Sequence, residues 1–161
     1  MSWATVESPI GELSLAADGA GVCAVRFRPA ADRPGVAADA EGVLAEAAAQ
    51  LRQWFAGRRT EFDLRLSVTG GTEFDRAVWA ELARIPYGET RTYGEVAAAV
   101  GDPSAARAVG VACNRNPLPV VVPCHRVVGA GGKLVGFGGG LPRKRWLLEH
   151  EARVAMQRAW A

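Results

Sequence analysis

The stretch Pro123-Cys124-His125-Arg126 combines residue types that nucleophilic catalysis uses. A cysteine attacks as the thiolate, and a free thiol has a pKa of about 8.5. A neighbouring imidazole and guanidinium both favour the anion. Adjacent side chains of an extended strand point to opposite faces, so His125 would have to reach Cys124 through a turn or a bridging water. A buried structural cysteine behind the apolar run 120–122 is the alternative, and local chemistry leaves both interpretations open.

Cysteine and histidine also bind metal ions. The candidate ligands are Cys23, Cys113, Cys124, His125 and His150. None of their spacings fits a zinc module such as C-x2-C with H-x3-5-H, so we predict no metal site. The glycine-rich stretch 136–140 contains no G-x-G-x-x-G that follows a strand, so we predict no dinucleotide site.

The elements that precede these residues begin with β-structure. Short runs with turn signals between them predict strands over residues 3–7, 12–17 and 22–27. Apolar residues at helical spacing predict a helix from about Asp39 to Gly57. The alternation over 62–66 suggests one more strand.

The second half is predicted to be helical and looped. Thr92, with Glu95 three residues later, forms a capping-box pattern that opens one of these helices. Asp102-Pro103 offers a cap and a first-turn proline for the next helix. Two short helices joined at this point have the spacing of a helix-turn-helix. The predicted helices span residues 73–85, 93–100, 104–113 and 141–155, and an extended run spans 118–122.

The second helix of this pair has an unusual surface. Ala106, Ala108 and Gly110 are small, and Arg107 is a long cation among them. Such a surface is typical of tight helix packing in an alanine-rich chain, and it also suits close approach to a DNA groove. Helical spacing alone is a weak signal for DNA binding, so both interpretations remain open.

Charge divides the chain near Gly70-Gly71. Residues 1–71 carry 7 basic and 9 acidic groups, and residues 72–161 carry 12 and 8, so the net charges are −2 and +4. We therefore predict an N-terminal β-rich domain with one long helix over 1–71, and a C-terminal domain over 72–161 that could attract a polyanion. The fold class is α+β.

Composition narrows the class of protein. The chain has 161 residues, 49% of them hydrophobic, which suits a folded globular protein. No apolar run approaches the roughly 18 residues of a membrane span, and the N-terminus lacks the pattern of a signal peptide. Three cysteines are too few for a disulfide framework, so we expect a reduced, cytoplasmic setting without membrane association.

Several ordered motifs resemble one family, the O6-alkylguanine-DNA alkyltransferases, also called methylated-DNA–protein-cysteine methyltransferases. Pro123 to Val127 is similar to its acceptor-site motif. The other similar stretches are Ile85-Pro86-Tyr87-Gly88-Glu89-Thr90, Thr92-Tyr93-Gly94, Ala106-Arg107-Ala108-Val109-Gly110, Asn116-Pro117, and Arg143 to Leu148 followed by His150-Glu151. The resemblance holds in order and spacing from about Thr72 to Glu151, and the N-terminal half resembles the family's small ribonuclease-H-like domain more loosely.

The resemblance implies catalytic roles. Cys124 would accept the alkyl group, His125 would take the thiol proton through a water, and Glu151 would orient His125. Asn116 would join the helix-turn-helix to the active-site segment by hydrogen bonds. Tyr93 would donate to the flipped guanine and crowd the phosphate that must rotate.

The resemblance also implies DNA contacts, in which Arg107 would fill the gap left by the extruded nucleotide. Ala106, Ala108 and Gly110 would lie in the minor groove. The resemblance also assigns Arg126, Val127, Phe137 and Gly138 to the substrate or the DNA. The backbone carbonyls of Cys124 and Val127 would read the guanine amino group. The family usually has Tyr at the position of Phe137, so this chain lacks that hydroxyl.

The implied function is direct-reversal DNA repair. One alkyl group would move from O6-alkylguanine in double-stranded DNA, and O4-alkylthymine is an open second substrate. The protein would be spent, would need no cofactor, and would act as a monomer, with cooperative DNA binding left open. The alternatives are a lesion sensor of the alkyltransferase-like class, which lacks the acceptor cysteine, a helix-turn-helix transcription factor, and a cysteine hydrolase.

Overall fold

Three strands, β1 (Ser2–Val6), β2 (Leu13–Ala17) and β3 (Val22–Arg26), form an antiparallel sheet in chain order. The structure is a computed structural model that describes residues 1–28 and 42–161. The three strands confirm the predicted ones to within a residue or two. Residues 1–69 and 70–161 form two compact units. Gly70 and Gly71, which the sequence analysis assigns to the first domain, lie in the second unit.

Helix α1 (Val43–Phe55) packs against this sheet. Leu51 and Trp54 are fully buried, as are Leu13 and Leu15 of β2. The helix ends close to the predicted Gly57, whereas the predicted start at Asp39 lies outside the described residues.

The predicted strand over 62–66 is wrong. Only Leu66 makes an isolated bridge, with Val22. The reason lies in Gln50, whose side chain accepts from the N–H of Asp63 (2.8 Å) and donates to its carbonyl (2.9 Å). These contacts occupy the backbone groups that a strand ladder would use.

In the second unit, helices α2 (Glu73–Leu82), α3 (Tyr93–Ala99) and α4 (Ala106–Arg115) pack on one another. Their shared core contains Val78, Leu82, Val96, Ala97, Val109 and Ala112. Trp79 Nε1 donates to the Ala112 carbonyl at 2.8 Å and joins α2 to α4. The predicted box at Thr92 is confirmed, because Thr92 Oγ1 accepts from the N–H of Glu95 and the Glu95 carboxylate accepts from the N–H of Thr92.

Helix α4 begins at Ala106, two residues later than predicted. Asp102 does not cap it, because the Asp102 carboxylate accepts from the N–H (3.1 Å) and the hydroxyl (2.6 Å) of Ser104 in a local turn. The N-cap is Ala105, which makes no side-chain cap. The two helices remain consecutive and packed, as a helix-turn-helix requires.

The rest of the unit runs through short elements. Residues 118–122 form a turn rather than the predicted extended run, with Val120 at φ 74°. A 3-10 helix (Cys124–Arg126) leads into β5 (Val127–Val128), which pairs in parallel with β4 (Arg91–Thr92). Helix α5 (Leu141–Ala159) closes the chain. None of the described helices has the length and apolar character to cross a membrane.

Candidate active site

Cys124 is the first residue of the 3-10 helix and is only 5% exposed. The 3-10 geometry replaces the extended strand that the sequence suggested for this motif. Burial raises the pKa of the Cys124 thiol, while a hydrogen bond from the Asn116 side chain and the positive charge of Lys144 act in the opposite direction. The thiol is therefore neutral at rest.

His125 is fully buried, and its Nε2 lies 2.6 Å from Glu151 Oε2. Burial lowers the pKa of His125, and Glu151 opposes this effect only in part. The ring is therefore neutral near pH 7. Because Glu151 engages Nε2, a proton from Cys124 would have to reach the ring at Nδ1.

Glu151 is the centre of a buried hydrogen-bond network. Besides the contact with His125, its oxygens accept from Arg126 Nε (2.9 and 3.1 Å), from Arg126 Nη2 (2.8 Å) and from the N–H of Gly88 (3.0 Å). Burial alone would raise the pKa of Glu151, but the hydrogen bonds and charges of His125 and Arg126 lower it to about 2. A fixed carboxylate thus orients the imidazole.

The structure places Arg126 differently from the expected contact with DNA. Its side chain is buried, with Nη1 donating to the Ile85 carbonyl at 2.7 Å and with Nε and Nη2 donating to Glu151. The guanidinium also lies 5.5 Å from the centre of the Tyr87 ring. Arg126 is therefore the counter-ion of Glu151, and its burial disfavours the predicted contact with DNA.

Asn116 ends α4 and organises the turn that precedes Cys124. Its Nδ2 donates to the Val122 carbonyl (2.8 Å), and its Oδ1 accepts from the N–H of Leu118 (2.9 Å). This clamp closes the turn over 118–122 and holds the buried Val120 at positive φ, which a β-branched residue rarely adopts. The turn fixes the position of Cys124 relative to α4, and the hydrogen bond to Val122 is the kind of link predicted for Asn116.

A cavity of about 420 Å³ opens beside α4. Its lining residues are Tyr93, Ala106, Arg107, Gly110, Val111, Asn114, Val135 and Gly136. Burial first, and then the negative charges that Cys113 and Cys124 would carry as thiolates, raise the pKa of Tyr93 to about 12, so its hydroxyl stays protonated. The structure thus brings together four of the predicted residues, namely Tyr93, Ala106, Arg107 and Gly110.

Other predicted residues lie outside the cavity lining. Ala108 is exposed on α4, and Val127 is fully buried in β5. Phe137 and Gly138 follow the cavity wall in the glycine-rich segment without lining the cavity itself. Their proposed contacts with the base stay predictions.

Lys144, which was not among the predicted site residues, is fully buried in α5. Its ammonium donates to the Val135 carbonyl (3.0 Å), the Gly136 carbonyl (3.2 Å) and Tyr93 Oη (3.3 Å). A signal was present, because Lys144 and Glu151 alternate with Leu147 and Val154 on the buried face of α5. A charge on such a face has to be paired or used.

Comparisons with known proteins match both halves of the chain. Residues 73–153 match the family pattern described as 6-O-methylguanine DNA methyltransferase, DNA binding domain, and residues 1–68 match the ribonuclease-like domain of the same family. A methylated-DNA–protein-cysteine methyltransferase of Mycobacterium tuberculosis is 48% identical over 149 residues, which cover 91% of this chain and 90% of that protein. Its counterpart in Mycolicibacterium paratuberculosis is 50% identical over 155 residues, which cover 95% of this chain and 93% of that protein.

Solved structures show the same relationship. The crystal structure of Mycobacterium tuberculosis OGT in complex with DNA superposes with a TM-score of 0.86 at 48% identity, covering 96% of this chain and 94% of that one. A Methanococcus jannaschii O6-methylguanine DNA methyltransferase gives a TM-score of 0.65 at 25% identity, with 92% and 93% covered. The matches extend over both units, and the chain belongs to the 6-O-methylguanine DNA methyltransferase family.

Proposed function

We propose that this protein repairs DNA by direct reversal, moving one alkyl group from O6 of guanine to Cys124 in a single irreversible event. The observation that carries the proposal is the buried Cys124 followed directly by His125, whose ring Glu151 holds at 2.6 Å. Nucleophile, base and orienting group are the parts that an activated thiol needs.

The transfer divides into a proton movement and a displacement. The Cys124 thiol proton passes to His125 through a water, and Glu151 stabilises the imidazolium that forms. The sulfur then attacks the alkyl carbon in line, so an S–C bond forms as the C–O6 bond breaks. Guanine leaves with the electron pair of the C–O6 bond and takes up a proton from water, and the imidazolium of His125 returns its proton to water. Tyr93 donates a hydrogen bond to the base. The thioether that remains on Cys124 has no easy leaving route, so the protein is spent.

The DNA surface that we propose is α4. Ala106 and Gly110 line the cavity and carry little side chain, so the helix can approach the minor groove closely. Arg107 is exposed at the same edge and would enter the base stack as the damaged nucleotide rotates out. The cavity of about 420 Å³ is large enough for one nucleobase.

We further propose that a monomer of this chain acts on double-stranded DNA. One chain supplies the cavity, the acceptor and the DNA helix, so the chemistry needs no second copy. A reduced thiol is also required, which is the state that the cytoplasm maintains.

Intact mass spectrometry tests the proposal. The protein is mixed with a duplex that contains O6-methylguanine, and we expect a gain of one CH2, mapped by peptide analysis to Cys124. Cys113→Ser is the matched control and should gain the same mass, because Cys113 is followed by Asn114 and not by a histidine base. Tight binding of the lesion without any adduct would instead identify a sensor.

A further inference from the structure

The turn over residues 86–89 has no role in the steps described so far. The N–H of Glu89 donates to the Pro86 carbonyl at 3.1 Å, which closes a four-residue turn. Gly88 occupies the third position at φ 81°, where a residue with a side chain would be strained. A methyl group on Gly88 would also lie 3.0 Å from the Cβ of Ala155. The backbone of the turn therefore packs directly on α5.

This turn and the residue before it contact both members of the buried ion pair between Arg126 and Glu151. The N–H of Gly88 donates to Glu151 Oε1 at 3.0 Å, and the Ile85 carbonyl accepts from Arg126 Nη1 at 2.7 Å. The Tyr87 ring lies against the guanidinium, whose Cζ is 5.5 Å from the ring centre. One short segment thus holds the carboxylate by a backbone donor, and the cation by a carbonyl and an aromatic face.

These contacts fix the plane of the Glu151 carboxylate. Gly88 donates to Oε1, whereas Arg126 donates to both oxygens, with Nε at 2.9 and 3.1 Å and Nη2 at 2.8 Å. Hydrogen bonds to such oxygens prefer the plane of the group, so the donors together oppose its rotation. Oε2 therefore stays 2.6 Å from His125 Nε2, and the alignment of the base depends on where the guanidinium lies.

Arg126 supports the base only while its guanidinium lies against the carboxylate. Burial opposes ionisation of Glu151, but the contacts with His125 and Arg126 lower its pKa to about 2. Burial also lowers the pKa of His125, and the charge of Arg126 adds to this effect. A guanidinium held against Glu151 therefore keeps the partner of His125 ionised, whereas without that contact its charge would only oppose protonation of the ring.

The Tyr87 ring is suited to holding this cation. The face of an aromatic ring attracts a guanidinium, and the attraction is stronger where water is excluded. Here the Arg126 side chain is buried. Burial, followed by the negative charge of Glu151, raises the pKa of Tyr87 to about 12, so the ring stays neutral.

We propose that Tyr87 is a positioning residue for alkyl transfer, which holds the Arg126 guanidinium against Glu151. The carboxylate then stays aligned with His125 and stabilises the imidazolium as it forms. The inference rests on the proposed function. It gives a role to the stretch over residues 85–90, which resembles a family motif and to which the sequence analysis assigned no step.

Single-turnover transfer from an O6-methylguanine duplex to the full chain tests the proposal. Tyr87→Leu removes the aromatic face and should lower the maximal rate by about 5-fold or more, as for a partly desolvated cation–π contact. Tyr87→Phe keeps the ring and should stay within about 2-fold of the wild type. The DNA concentration for half-maximal rate should change by less than about 3-fold in both variants, because α4 provides the affinity.

A second background shows whether Tyr87 acts through the ion pair. The double variant Glu151→Gln/Arg126→Met lacks both charges, so adding Tyr87→Leu to it should cost less than about 2-fold in rate. Phe74→Leu is the matched control, because it removes another partly buried ring from the same unit and should leave the rate unchanged. A merely structural role would instead give the same loss of rate in both backgrounds.

Three results would overturn the proposal: Tyr87→Leu as fast as the wild type, an equal loss from Tyr87→Leu in both backgrounds, or Tyr87→Phe as slow as Tyr87→Leu. If circular dichroism shows that Tyr87→Leu is unfolded, Tyr87→Met takes its place, since methionine adapts to irregular gaps. A wild type that gains no adduct on Cys124 refutes the proposed function instead, so the two failures are distinguishable.

Discussion

Glu151→Gln tests whether one buried carboxylate supports both the fold and the chemistry. The folded protein lowers the pKa of Glu151 from 4.5 to about 2. At about 1.4 kcal/mol per pKa unit, this shift corresponds to about 3 kcal/mol of stability. Removing one partner of a buried ion pair costs about 3–5 kcal/mol in other proteins, so both routes lead to the same magnitude. We expect Glu151→Gln to lose about 3 kcal/mol of unfolding free energy at pH 7.

The stability that Glu151 contributes should fall as the pH is lowered. The folded pKa lies below the unfolded one, so the stability from ionised Glu151 is complete above about pH 4.5 and is lost as the pH falls toward 2. Urea unfolding should show a gap in unfolding free energy between the wild type and Glu151→Gln, and this gap should close as the pH falls over this range. Glu149→Gln, an exposed change on the same helix, should show no gap. A gap that persists at pH 2 would refute the assignment to the carboxylate charge.

The rate of alkyl transfer should distinguish the role of Glu151 from that of its counter-ion Arg126. Glu151→Gln should slow alkyl transfer by about 100-fold or more, because His125 loses the carboxylate that stabilises its charged form. Adding Arg126→Met removes the guanidinium left unpaired, so the double variant should recover most of the stability and none of the rate. A double variant with the wild-type rate would show that Glu151 serves only to neutralise Arg126.

Three further substitutions probe the other parts of the site. Asn116→Ala leaves the Val122 carbonyl and the Leu118 N–H unsatisfied, so urea unfolding should show a loss of about 1–3 kcal/mol, and an unchanged midpoint would contradict the clamp. Arg107→Ala should slow transfer from duplex DNA at least about 10-fold more than transfer from free O6-benzylguanine, measured by the rate of adduct formation; equal losses would exclude a role in nucleotide extrusion. Thr92→Ala breaks the capping box of α3 and should cost about 1 kcal/mol in thermal unfolding, with Thr90→Ala as the uncapped comparison.

Local hydrogen bonds were the predictable part of the fold. The Thr92 box needs only a partner three residues away, and the sequence alone identifies it. The same pattern at Thr72 and Asp75 caps α2, although it was not among the predicted caps. Asp102 shows the limit of such patterns, because its carboxylate could cap a helix or bind Ser104, and the structure has the second.

Contacts between distant residues explain what the sequence could not predict. The valines before Cys124 favour an extended strand, yet Asn116 closes them into a turn by hydrogen bonds to both of its ends. Gln50 likewise removes Asp63 from any ladder. In the site, spacing alone could not pair His125 with a carboxylate 26 residues away; the family resemblance supplied that pair. Neither the residue spacing nor the family resemblance indicated that the side chain of the neighbouring Arg126 is buried.

The charges of the site suit a thiol that reacts only once. Burial keeps the Cys124 thiol and the His125 ring neutral at rest, so we expect Cys124 to react slowly with other electrophiles. Proton transfer between them creates an anion and a cation in a buried site, which is costly unless each finds an opposite charge. Glu151, kept ionised by Arg126, already lies against His125, and the charge of Lys144 already favours the Cys124 thiolate. The two fixed charges thus stabilise the reactive state while burial keeps the resting state neutral.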